Sequence, residues 1–330
     1  MSANSWDNFW KHTAKDNQMP CFGEQTATLQ GTWEQLFSSL TLAERPYLNV
    51  LDIACGDGAL IHHFAKYNTF NTALNLYASD YSRSACAETL ERHAKINAVC
   101  CDSANLPFAS ASFDLIISQY GIEYSGQKAF EEAIRCLRDN GEFVAIVHAK
   151  NGSIYQECVA NAKATKAFFD SNVLAQGKRV FATAAEVMAN RKPQSAFASE
   201  DKAFSLCVNQ CKAIFAEYSQ HIAGGYLFRI FSELGHMFSK IQSYNSQDVS
   251  DWIDNTSIEM KAYQRRMASM VESAQSEISL HQIIDACREN QKANAELIQT
   301  LSPLHGVKQD KSEKIDDCIG WILRLKKKKV

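Results

Sequence analysis

Between residues 49 and 149, short apolar runs alternate with stretches whose apolar residues recur every three or four positions. That alternation predicts a parallel sheet built from strand–helix–strand units. Strands are expected at 50–54, 75–78, 98–101, 113–118 and 142–148, and helices at 59–66, 84–95 and 128–138. The turn residues Asp139-Asn140-Gly141 should stop the last helix. The strands are apolar nearly throughout, so both faces of the sheet should be covered, as parallel sheets require.

After Asn151-Gly152 the period changes to that of helices, as in Tyr155, Cys158, Val159, Ala162 and again in Met260, Tyr263, Met267, Met270, Val271. About five helices are expected, with breaks near Lys192-Pro193, Gly224-Gly225 and 243–248. Strand character returns at 318–325, ahead of the Lys326 to Lys329 run, and residues 304–308 are expected to form the sixth strand.

Composition narrows the function. The chain has 330 residues, 46% of them hydrophobic, and carries a net charge of −3. No bulk positive field exists to draw it onto nucleic acid or an anionic membrane. Residues 1–150 carry 11 basic and 17 acidic side chains, whereas 151–330 carry 23 and 20. No run reaches the roughly 18–20 apolar residues of a membrane helix. The polar N-terminus lacks a basic segment followed by an apolar one, which argues for the cytoplasm. The 11 cysteines are scattered and show no paired CxxC spacing, so reduced thiols and no metal site are expected.

The chemistry concentrates at Val50-Leu51-Asp52-Ile53-Ala54-Cys55-Gly56-Asp57-Gly58, an apolar strand with an acid that runs into a Gly-x-Gly turn before a helix. Glycines there let the backbone bend and let a ligand approach closely. Asp80 closes the second strand, where a carboxylate can accept both hydroxyls of a ribose, and Asp102-Ser103 closes the third. A dinucleotide fingerprint would need a third glycine where the chain has Ile61. A diphosphate would also sit badly against Asp52, Asp57, Asp80 and Asp102, whereas a cationic nucleoside would sit well.

These residues resemble the motifs of class I S-adenosylmethionine-dependent methyltransferases. Asp52-x-Ala54-x-Gly56-x-Gly58 looks like their first motif, Asp80 like their ribose-binding acid, and Asp102-Ser103 like their adenine-contacting pair. Leu106-Pro107-Phe108 with 112–118 is similar to their loop and fourth strand, and Gly141-Glu142-Phe143 to the entry of the fifth. The resemblance covers roughly residues 45–150 and a final strand near 319–325. It implies an α/β fold: a doubly wound, mostly parallel seven-stranded sheet with a reversed last strand and a large helical cap inserted after the fifth strand. The expected organisation is an N-terminal helical lid segment at 1–44, a cofactor-binding core at 45–150, a helical cap at 151–296, and C-terminal strands at 297–330. The implied cofactor is S-adenosyl-L-methionine, with S-adenosyl-L-homocysteine as product. Its expected contacts are Asp52, Ala54, Cys55, Gly56, Asp57, Gly58, Asp80, Tyr81, Asp102 and Ser103, together with Gln119, Tyr120 and Tyr124 after the fourth strand. Trp10 belongs to this set as a lid aromatic, since an aromatic face attracts a sulfonium by about 0.5–2 kcal/mol.

Methyl transfer is an in-line displacement, so alignment and exclusion of water can supply much of the catalysis with little acid–base machinery. His148 at the end of the fifth strand and Glu123 in the loop after the fourth are rival candidates for a base. Ser118-Gln119-Tyr120-Gly121 lacks the Asn/Asp-Pro-Pro-aromatic sequence of base and glutamine amino-methylating members, which disfavours a nucleobase acceptor. A small-molecule substrate methylated at oxygen or nitrogen is expected, with no nucleic acid, no membrane, and a homodimer surface on the helical cap. The rivals are an RNA or protein methyltransferase and a non-catalytic module that keeps the cofactor while its helices hold a protein partner.

Overall fold

The computed structural model describes residues 6–7, 9–10, 26–42, 44–70, 72–93, 95–290, 295–306 and 318–329. Half of the expected lid segment, Pro20-Cys21-Phe22-Gly23 included, lies outside them. The element order is α1 (Thr26–Ser38), β1 (Tyr47–Ile53), α2 (Ala59–Tyr67), β2 (Ala73–Asp80), α3 (Arg83–Arg92), β3 (Ile96–Cys100), β4 (Phe113–Gln119), α4 (Gln127–Cys136) and β5 (Leu137–His148). Then come α5 (Ser153–Asp170), α6 (Val173–Met188), α7 (Gln194–Tyr218), α8 (Tyr226–Ser239), α9 (Ser246–Ser273), α10 (Glu277–Glu289), β6 (Ala295–His305) and β7 (Cys318–Lys329).

The seven strands form one sheet in the order β3-β2-β1-β4-β5-β7-β6. β1 to β5 run parallel, and β7 is inserted antiparallel between β5 and β6. This is the expected doubly wound sheet with a reversed last strand. Leu51, Ile53, Leu115, Ile116, Ile117, Phe143, Ala145 and Val147 are fully buried, which explains why these strands read as continuous apolar runs. α4 covers the sheet through Ala129, Phe130, Ala133 and Ile134.

Two of the polar exceptions inside the sheet, Asp114 and Glu142, are paired with cations. Asp114 accepts the Asn49 amide at 2.9 Å and pairs with Arg45 and Arg138. Glu142, fully buried on β5, accepts the Thr41 amide at 2.9 Å and pairs with Arg324 at 2.6 Å and Lys326 at 3.3 Å on β7. The antiparallel strand is thus fastened by charge as well as by its ladder.

Three expectations need correction. The helix expected at 128–138 ends at Cys136, and Leu137 already pairs with Phe113 in the sheet. Asp139-Asn140-Gly141 does not terminate a helix. It forms an irregularity within β5, where the register jumps and Asn140 takes a φ of 63°. The sixth strand is Ala295–His305 and not 304–308; residues 307 and 308 lie outside the described set. Pro303 falls inside β6, which is the sheet edge, where a residue without an N–H is tolerated.

Among the described residues, α5 to α10 make six helices where about five were expected. Breaks fall at Pro193, which precedes α7, and at Gly225, which precedes α8 with a left-handed φ of 78°. The chain divides into two compact units, one of residues 1–156 and 269–330, the other of 157–268. The second unit is wholly helical apart from its turns. Within it Phe215 packs against Phe168, Phe228 and Phe231, and Phe204 packs against Phe238. No described helix is long and apolar enough to cross a membrane.

Candidate functional site

The carboxyl ends of β1, β2, β3, β4 and β5 border one cavity of about 720 Å³ in the first unit. That volume lies inside the ~300–1,000 Å³ range of small-molecule sites. Of the expected residues, Trp10, Asp52, Ala54, Cys55, Gly56, Asp57, Asp80, Tyr81, Asp102, Ser103, Gln119, Tyr120, Tyr124 and His148 line it. Gly58 and Glu123 do not. They lie behind the lining and act on residues that reach it.

The turn after β1 is shaped by its backbone. Ala54, Gly56 and Gly58 all take left-handed φ angles, of 56°, 57° and 78°. A Cβ on Gly56 would come within 2.5 Å of the Trp10 ring, and one on Gly121 within 2.4 Å of the Ala54 Cβ. The loop after β4 therefore packs directly on Ala54 and leaves no room for a side chain at Gly121. Thr89 Oγ1 donates to the Gly56 carbonyl at 3.0 Å, which ties the turn to α3.

Asp80 ends β2 with both carboxylate oxygens in use. Oδ2 accepts the Gly56 amide at 3.0 Å, and Oδ1 accepts the Ser82 amide at 2.8 Å. Burial pushes its carboxyl up, and the amide hydrogen bonds oppose that shift only partly. Asp52 is more extreme. Burial raises its carboxyl well above the ordinary range, the Ile61 amide opposes this, and the charges of Asp80 and Asp57 raise it further. Its Oδ2 is buried with no hydrogen-bond partner among the described residues. A buried acid in that condition suits a cationic ligand, whose charge would lower the cost of ionising it. Asp102 is exposed and accepts the Ala104 amide at 2.9 Å, while Ser103 beside it is buried. Backbone turn, orphaned acid and acidic strand ends together fit S-adenosylmethionine.

At the other end of the cavity the two rival bases meet. Glu123 Oε1 lies 2.6 Å from His148 Nδ1 and accepts the His148 backbone amide at 3.1 Å, with both side chains buried. Tyr120 stacks on the imidazole at 4.3 Å, and its hydroxyl donates to the Ile319 carbonyl at 3.2 Å. Burial and the nearby Glu123 charge push the Tyr120 phenol well up, so it stays protonated. Tyr124 meets the imidazole edge-on at 5.9 Å and Trp6 at 5.4 Å. Gln119 is held by Trp33, whose indole N–H donates to Oε1 at 2.6 Å. Trp33 itself is a packed helix residue, buried in α1.

Sequence reasoning missed Thr89, Asp7, Gly121 and Met270. Thr89 and Asp7 act through hydrogen bonds to residues dozens of positions away. Met270 reads as one member of a helical stripe, yet it lines the cavity. Among the described lining residues there is no lysine or arginine.

Residues 50–141 match the family model described as a methyltransferase domain. A malonyl-[acyl-carrier protein] O-methyltransferase of Enterobacter lignolyticus is 33% identical over 102 residues, which is 30% of this chain and 39% of that protein. The ubiquinone/menaquinone biosynthesis C-methyltransferase UbiE of Campylobacter jejuni is 27% identical over 140 residues, 41% of this chain and 58% of that one. This chain therefore spans well under two thirds of either relative. Among solved structures, a SAM-dependent methyltransferase from Aquifex aeolicus aligns at 14% identity with a TM-score of 0.34, covering 46% of this chain and 76% of that one.

Proposed function

From a chain that carries a class I S-adenosylmethionine-dependent methyltransferase domain, we propose an enzyme that methylates an oxygen or nitrogen of a small molecule, with His148 and Glu123 handling the acceptor proton. The observation that carries this reading is the buried Glu123–His148 pair, whose histidine lines the cavity that fits the cofactor. The cofactor, when bound, supplies a methyl carbon on a sulfonium, an electrophile that an oxygen or nitrogen lone pair can displace in line.

An acceptor hydroxyl or amine must shed a proton as it gains the methyl group. His148 lines the cavity and can hold that proton, while Glu123 fixes the ring through Nδ1 and stabilises the imidazolium that results. Carboxylate acceptors need no base. The lining also favours a neutral or cationic acceptor, because no described lysine or arginine reaches the cavity to offset an anion beside the lining acids Asp52, Asp57, Asp80 and Asp102. Tyr120 and Tyr124 would hold the acceptor against the methyl group and exclude water.

Labelled S-adenosylmethionine incubated with the protein and, separately, with a metabolite extract, total RNA and total protein tests the reading. Transfer to the small-molecule fraction supports it. Transfer only to RNA or protein replaces it with a macromolecular substrate, and cofactor binding without transfer to any fraction replaces it with a binding module.

A further inference from the structure

Asp7 lies in the short helical turn of residues 6–7 and 9–10, far in sequence from every strand, yet it reaches the start of α3 behind Asp80. Its Oδ1 accepts the Ser82 hydroxyl at 2.7 Å and the Ser84 amide at 3.0 Å, so a carboxylate from another part of the chain caps the first turn of α3. Ser82 in turn donates its amide to Asp80 Oδ1, and Asp80 Oδ2 accepts the Gly56 amide. Trp10 closes the circuit, since its ring leaves no room for a Cβ on Gly56.

On the same turn, Trp6 lies one helical turn before Trp10 and packs edge-on against Tyr124, which packs against His148. One carboxylate therefore fixes an aromatic pair that spans the cofactor end and the acceptor end of the cavity. We infer that Asp7 is a positioning residue for methyl transfer, pinning the N-terminal aromatic turn so that Trp10 and Trp6 are set over the two halves of the site together. The inference rests on the methyltransfer reading above. The needed property is an acceptor oxygen at Oδ1, which asparagine shares and alanine lacks.

The test is calorimetric titration of the full chain with S-adenosylhomocysteine, comparing wild type with Asp7→Ala, Asp7→Asn, Trp10→Ala and the Asp7→Ala/Trp10→Ala double variant. Asp7→Ala should weaken binding about tenfold and Asp7→Asn less than about threefold, as expected for loss and retention of a capping hydrogen bond. The double variant should bind no worse than Trp10→Ala alone, because Asp7 acts through the aromatic turn. Unchanged binding in Asp7→Ala, equal loss in Asp7→Asn, or losses that multiply in the double variant would overturn the inference while leaving the methyltransfer reading intact. A wild-type chain that bound no S-adenosylhomocysteine would overturn that reading and this inference with it.

Discussion

Replacing Glu123 by glutamine separates charge from geometry at the acceptor end. The amide oxygen of glutamine can still accept from both the His148 amide and Nδ1, the two bonds that Glu123 Oε1 makes at 3.1 and 2.6 Å. The negative charge is lost, and an NH₂ takes the place of Oε2, which has no hydrogen-bond partner among the described residues. When His148 takes up a proton, its charge centre lies ~4 Å from that of the carboxylate, worth ~4 kcal/mol at an effective dielectric of ~20. That converts to ~10³ in rate, within the ~10²–10⁴ that a positioned acid–base group contributes. Glu123→Gln should therefore transfer labelled methyl ~10²–10³ times more slowly under saturating cofactor, with affinity for S-adenosylhomocysteine within about threefold of wild type. His148→Ala should be slowed at least as much, and combining the two should add little, because the residues act as one unit. Wild-type turnover in Glu123→Gln would refute the assignment of the pair to proton handling.

Other consequences are independent of the acceptor. Asp80→Asn sets an amide NH₂ against an N–H donor of either Gly56 or Ser82, because both carboxylate oxygens accept in the native chain. Loss of a charged hydrogen bond of about 1.5–3 kcal/mol should weaken cofactor binding ~10–150-fold by calorimetry. Gly56→Ala places a Cβ on a left-handed residue, costing ~1–2 kcal/mol, and drives it into the Trp10 ring, so melting temperature and cofactor affinity should both fall. Glu142→Gln should cost about 2–3 kcal/mol at pH 7 by denaturant unfolding, less than the ~3–5 of a fully buried pair because Arg324 keeps 24% of its exposure. Burial alone would raise the Glu142 carboxyl. The Thr41 amide and Arg324 outweigh it, so the folded value lies below the ordinary 4.5. A depressed acid stabilises above its unfolded value and stops doing so as pH falls through the folded one. The gap between wild type and Glu142→Gln should therefore be constant above pH ~5 and close on acidification. A gap that widened below pH 4.5 would contradict the sign.

The sheet was legible because its strands are apolar on both faces, and the glycine turn and acidic strand ends were legible because local residue type dictates them. What the sequence hid was set by partners far along the chain. Pro303 marks a break in most strands but is harmless at an edge that only the sheet order reveals. Asp139-Asn140-Gly141 reads as a helix stop, and the pairing of Leu137 with Phe113 shows it to be a bulge. Glu123 and His148 read as competing bases because 25 residues separate them; only the parallel pairing of β4 with β5 brings them within a hydrogen bond. Asp7 gave no local signal, since its meaning lies in Ser82 and Ser84.

Titration of the purified full chain with S-adenosylmethionine, S-adenosylhomocysteine and a nicotinamide dinucleotide, in parallel, tests the central claim most directly. The acidic strand ends and the buried, unpartnered Asp52 oxygen predict heat for the adenosyl sulfonium and its thioether product and none for the diphosphate. Binding of the dinucleotide with no heat from either of the others would contradict the account.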